Sequence, residues 1–218
     1  MIVPTGSAAS KVGNDRKVQV WVLVAFITTL GIGLLNSLVF FPAVSTSFEL
    51  ENYGDGWAQI AENVVRGNGF VYQSGKQSDF MTGQLKREPL YPLFLASILA
   101  VFGKLDPYMM LFQALINAMT SLVLYFMVSR IFNQRTGVIA SLLYAVYPFA
   151  AWYVPRIAYE TLLGLLIALL MLTLAGLFER PSFLRALAAG VMLGITVLCR
   201  GLYILLPLAL VPALFVWG

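Results

Sequence analysis

ELENYGDGWAQIAENVVRGNGFVYQSGKQSDFMTGQLKREPLYP, residues 49–92, is a long polar interval set between apolar segments. A chain that spends most of its length in lipid must gather its carboxylates, amides and cations where water reaches them, so this interval is where chemistry collects. Inside it Trp57, Ile60, Ala61, Val64 and Val65 recur at i, i+3, i+4, i+7 and i+8, one apolar stripe of a helix. Asp55, Gln59, Glu62, Asn63 and Arg66 fall on the opposite side, and Gly67-Asn68-Gly69 tolerates a left-handed C-terminal turn. The pattern predicts a helix lying in the membrane interface with its stripe in the acyl boundary and Asp55 in water at its N-terminus.

The rest of the chain is read outward from there. Of 218 residues, 60% are hydrophobic and 11% charged, with mean hydropathy +0.83, which places the chain in the polytopic membrane class. The single Cys199 excludes an intramolecular disulfide, and the absence of histidine leaves carboxylates as the side chains for acid–base work and metal ligation near neutral pH. Lys11, Arg16 and Lys17 precede an apolar run through residue 41 that is long enough to cross a bilayer. The run 90–102 is short for a crossing and reads as re-entrant or interfacial. Further spans follow at 108–128, 136–151 and 160–178, with two more on either side of Arg200-Gly201.

The expected fold is therefore an all-α polytopic membrane protein, with about six transmembrane helices plus interfacial helices in a large first outer loop, residues 43–89. Residues 1–218 form one transmembrane domain. With the run 90–102 not crossing, Lys11, Arg16, Lys17, Arg130, Arg135, Arg180 and Arg185 fall inside, so the N-terminus is cytoplasmic. Glu49, Glu51, Asp55, Glu62, Asp79, Glu88, Asp106 and Glu160 then share the outer face.

Each candidate has a functional and a plainer reading. Asp55 is the leading carboxylate and also a natural helix N-cap. Glu160 opens a span after Arg156, where an acid also suits the helix dipole. Arg200 interrupts an apolar run, which points to water, a carboxylate or a phosphate, or to snorkelling. Lys86 and Arg87 can meet lipid head groups, and the turn Pro89-Leu90-Tyr91-Pro92 fixes backbone direction with an aromatic ring. No phosphate-binding glycine loop, cysteine cluster or nucleic-acid footprint is present; net charge +4 is explained by topology.

The order of these elements resembles the GT-C superfamily of membrane glycosyltransferases, in particular the dolichyl-phosphate-mannose protein mannosyltransferase and aminoarabinose transferase branch. The likeness rests on a first span and a loop Asp heading a helix that ends in Gly-x-Gly-Phe. Arg-x-Pro-Leu-Tyr-Pro-Leu-Phe-Leu-Ala follows, then Phe-Gly, Tyr147-Pro148, Glu160 and the Cys199-Arg200-Gly201 break. It implies transfer of a sugar from a polyprenyl-phosphate carrier to a glycan, lipid or protein acceptor at the outer face, and it makes 1–218 the N-terminal part of a longer module. By the likeness, Asp55 is the catalytic carboxylate, Glu160 the second acidic residue and Arg200 a cation for the carrier phosphate. Arg87 and Arg156 complete the phosphate clamp, and Tyr91 and Gln59 belong to the substrate loop. The metal requirement stays open; a divalent ion, where one takes part, falls to Asp55 and Glu160. The other reading is a membrane transporter or a lipid-carrier-binding subunit without catalysis, against which the long first loop and the lack of an internal repeat both count.

Overall fold

The computed structural model describes residues 7–40, 56–71 and 87–208. They form helices throughout, with no strand among them. Helix α1 spans Ser7–Leu35 and runs on through a π-helical turn, Asn36–Phe40. It is followed by α2 (Trp57–Val65), α3 (Leu90–Phe102), α4 (Tyr108–Ile131), α5 (Gln134–Ala145), α6 (Pro148–Tyr153), α7 (Glu160–Glu179) and α8 (Phe183–Cys199), then a 3-10 turn, Gly201–Leu205.

Three helices among the described residues are long and apolar enough to cross a bilayer: Arg16–Val39, Tyr108–Ile131 and Glu160–Glu179. The stretch expected to span at 136–151 is instead two short helices. Pro148 lacks an N–H and excludes the helical conformation from the residue before it, so Tyr147 is extended and α6 restarts with the proline in its first turn. Helix α8 has 17 residues and stops where Arg200 turns extended, with φ −149° and ψ 109°. Most of the expected last span lies outside the described residues.

Helix α4 is the hub, packing against α1, α5 and α7, while α8 packs on α7 and α2 on α3. Close approach comes from small residues, as expected where lipid removes the hydrophobic drive between helices. Ala25, Ala114 and Ala118 are buried, and a Cβ on Gly33 would stand 3.5 Å from the Ala114 Cβ. Polar groups lock the contacts: Asn36 Nδ2 donates to the Ala151 carbonyl at 2.7 Å, Gln113 Nε2 to the Arg156 carbonyl at 2.8 Å, and the Tyr144 hydroxyl to Asn117 Oδ1 at 2.7 Å. Outward-facing residues such as Val20, Leu23, Ile27, Leu115, Phe126, Ile139 and Leu143 are exposed, the surface of a bundle that meets hydrocarbon.

Helices α4 and α7 run in the same direction. Tyr159 and Leu162 pack beside Met109 at one end, and Arg130 Nε meets Glu179 Oε1 at 2.7 Å at the other. That second end also carries Arg135, Arg180 and Arg185, whose Nη1 donates to the Gly176 and Arg180 carbonyls at 3.0 and 2.9 Å. Four arginines thus gather at this end of the bundle, and Tyr159 and Glu160 stand at the other.

The amphipathic helix forms as its periodicity predicts, and Gly67 and Gly69 take left-handed φ of 77° and 82° just beyond it. Most of its stripe is covered by protein: Trp57, Ile60 and Ala61 are buried, while Val65 at the far end is exposed. Trp57 and Ala61 pack with Tyr91, Leu95 and Ile98 of α3.

Only Phe132 and Asn133 separate α4 from α5, and Asn133 Oδ1 caps α5 by accepting from the Thr136 N–H at 3.0 Å. The tight turn presses Gly137 onto α4: a Cβ there would stand 2.8 Å from the Tyr125 carbonyl oxygen and closer still to Ser129 Oγ. Gly137→Ala is expected to destabilise the detergent-solubilised protein by about 1–3 kcal/mol through overpacking. Gly190→Ala, at a helical position with open space around it, should be neutral or stabilising; thermal unfolding of the two variants checks the contrast.

Candidate functional site

At the end of the bundle away from the Arg130–Glu179 pair, four segments converge: α2, the residues entering α3, the approach to α7 and the break after α8. Trp57 is the centre. Its ring meets Tyr91 edge-on at 5.7 Å between centroids and Tyr159 at 5.9 Å. Tyr91 lies in the first turn of α3 and is completely buried; Tyr159 immediately precedes α7.

Two guanidinium groups flank this aromatic pair. Arg87 lies 4.8 Å from the Trp57 centroid and Arg200 lies 5.0 Å from that of Tyr159. A cation over a ring face is held without a formal negative charge beside it to offset its own. No carboxylate pairs with Arg200 among the described residues. Arg156 is elsewhere at this end, 4.3 Å from the Trp152 centroid, with its carbonyl accepting from Gln113.

Glu160 is the first residue of α7, where a negative charge is favoured by the helix dipole. Its Oε2 is buried without a hydrogen-bond partner among the described residues, as are Thr161 Oγ1 and Gln113 Oε1. Burial pushes the Tyr91 phenol well above its ordinary range; the Ala158 backbone, approaching short of hydrogen-bond geometry, offsets a little, and the Glu160 charge adds to the rise. Tyr159 is raised as well, by burial first and then by Glu160, with Arg200 opposing and Glu88 adding. Glu160, Arg200 and Glu88 therefore all act on the same ring. Such an arrangement can bind an anion between cations on aromatic supports while keeping a carboxylate close by.

The structure thus brings Arg87, Tyr91, Glu160 and Arg200 together, and sets Gln59 half-buried in the first turn of α2. Asp55 lies outside the described residues; the N-cap position of α2 falls on Gly56, which is left-handed with φ 88°. Sequence reasoning counted Trp57 only as part of an apolar stripe and passed over Tyr159. An aromatic residue directly before an acid at the head of a span was the available signal. It also left Glu88 among the general outer acids, although its Oε1 accepts from the Gly201 N–H at 2.9 Å. No cluster of three or more Cys, Asp or Glu residues able to hold a metal occurs among the described residues. A separate cleft of about 490 Å³, lined by Tyr125, Phe126, Ser129, Arg130, Gln134 and Leu172, lies at the opposite end and contains none of the candidate residues.

The sequence model of a family described as dolichyl-phosphate-mannose-protein mannosyltransferase matches residues 86–218, more than half of the chain. That span includes Arg87, Tyr91, Arg156, Glu160 and Arg200, and stops short of α2. No curated protein and no solved structure matches the chain.

Trp57 is the largest buried side chain of α2, so Trp57→Ala should remove about 3–5 kcal/mol of packing and loosen the helix. Limited trypsin digestion should then cut after Arg66 faster than in the wild type, whereas Trp57→Phe should resist nearly as well. Equal cutting in all three proteins would show that α2 is anchored by something other than this ring.

Proposed function

The chain belongs to the dolichyl-phosphate-mannose-protein mannosyltransferase family, and from that premise we propose that it transfers a sugar from a polyprenyl-phosphate carrier to an acceptor hydroxyl at the outer face of the membrane. The observation that carries the reading is the pair of guanidiniums, Arg87 and Arg200, on either side of Trp57 and Tyr159 with Glu160 alongside. A phosphate that departs with a lipid tail needs cations near the hydrocarbon boundary, and in this reading the two arginines held on rings at one end of the bundle supply them.

In the proposed reaction the acceptor oxygen forms a bond to the anomeric carbon as the bond from that carbon to the carrier phosphate breaks, so the anomeric centre inverts. The proton of the acceptor hydroxyl passes to the Asp55 carboxylate, the general base. The electron pair leaves with the polyprenyl phosphate, whose charge Arg200 and Arg87 stabilise, with Arg156 reaching in from Trp152. Glu160 orients the acceptor or the sugar, and Gln59 and Tyr91 shape the substrate end. The membrane orientation is part of the proposal: Arg130, Arg135, Arg180 and Arg185 share one end of the bundle, as the positive-inside rule asks of a cytoplasmic face. The carrier's tail then lies along the lipid-facing helices, and the acceptor is a glycan, a lipid or a protein.

Sugar transfer by membranes containing the full-length protein is the test. Asp55→Asn should lower turnover by about 10²–10⁴-fold, the usual contribution of a general base; undiminished turnover would remove Asp55 from that role. Loss of one charged hydrogen-bonding group costs about 1.5–3 kcal/mol, so Arg200→Ala should raise the donor KM by roughly ten- to a hundred-fold. Arg200→Lys should recover only part of this, because lysine keeps the charge without the planar fork. Measuring donor KM across a range of carrier concentrations separates the two variants.

A further inference from the structure

Helix α8 ends in an unusual way. The Arg200 N–H still closes the last helical turn on the Thr196 carbonyl at 2.9 Å, but the backbone then turns extended and the next N–H, of Gly201, opens a 3-10 turn. The first donors of such a turn have no partner within it. The Gly201 N–H is taken instead by Glu88 Oε1, 113 residues earlier in the chain, at 2.9 Å. The fit is close, since a Cβ on Gly201 would stand 3.4 Å from that oxygen.

Two neighbours of this bond matter. Glu88 directly follows Arg87, whose guanidinium sits over Trp57, and Gly201 directly follows Arg200, whose guanidinium sits over Tyr159. One carboxylate therefore ties together the backbones that carry both cations. We propose that Glu88 is a positioning residue: its carboxylate accepts the Gly201 backbone N–H and so sets the spacing of Arg87 and Arg200 across the Trp57–Tyr159 pair. This rests on reading the two arginines as contacts for the carrier phosphate. It assigns Glu88 no proton transfer and no direct contact with the sugar, and what the role requires is an acceptor oxygen rather than a negative charge.

The distinction is testable because glutamine keeps the acceptor and drops the charge. Glu88→Gln and Glu88→Ala would be compared with the wild type in full-length purified protein by hydrogen–deuterium exchange over residues 200–205 and by donor KM and kcat. Faster exchange is expected in Glu88→Ala and near-native exchange in Glu88→Gln. Donor KM should rise roughly ten-fold in the alanine variant, as for loss of a charge-assisted hydrogen bond, with kcat changed less, and should stay within about three-fold of wild type in the glutamine variant. A glutamine variant as impaired in kcat as the alanine variant would overturn the proposal by showing that the charge itself takes part in chemistry. Unaltered exchange in the alanine variant would overturn it by removing the bond. Should Glu88→Ala not fold, Glu88→Gln alone still decides, since the proposal requires it to be close to native. The exchange readout needs no sugar transfer, so a protein that exchanges as expected but transfers nothing counts against the proposed function and not against the tether.

Discussion

A carbonyl released from a helix inside a bundle of this kind has no water to turn to, and it must find a donor on a neighbouring element. Pro155 creates that situation between α6 and α7, since it has no N–H to offer the Ala151 carbonyl four residues before it. The chain from Val146 to Tyr159 is irregular apart from the six residues of α6, and its Ala151 and Arg156 carbonyls are taken by Asn36 of α1 and Gln113 of α4. Those two amides hold the irregular segment against the bundle, and the same segment delivers Arg156, Tyr159 and Glu160. The placement of the candidate site is in this sense a by-product of satisfying a broken helix.

Local features were legible from the residues alone. The 3.6-residue period of Trp57, Ile60, Ala61 and Val64 showed α2, the paired glycines marked its end, and the arginines at 130, 135, 180 and 185 foretold one basic end of the bundle. What a period cannot report is the partner that covers the stripe. An apolar face of α2 looks the same whether it meets acyl chains or Leu95 and Ile98, and only α3, brought back beside it, decides between them. The short α5–α6 break was likewise signalled by Pro148, but the apolar run around it has the composition of a continuous span.

The candidate site divides along the same line. Glu160 and Arg200 stood out because charge in an apolar run is costly. Trp57 and Tyr159 did not, since aromatic residues at a membrane boundary are common and their pairing spans about a hundred residues of sequence. The family match begins at residue 86, so the helix bearing Trp57 lies outside it. That helix is nevertheless joined to the matched region by the contact between Trp57 and Tyr159, the two rings on which Arg87 and Arg200 rest.

Resting guanidiniums on ring faces has a consequence for how the protein would respond to its surroundings. An indole does not ionise, arginine keeps its charge throughout the accessible range, and Tyr159 is displaced further towards neutrality. The two rings under the arginines therefore stay uncharged through mild acidification and mild alkalinity, so the support they give does not itself titrate.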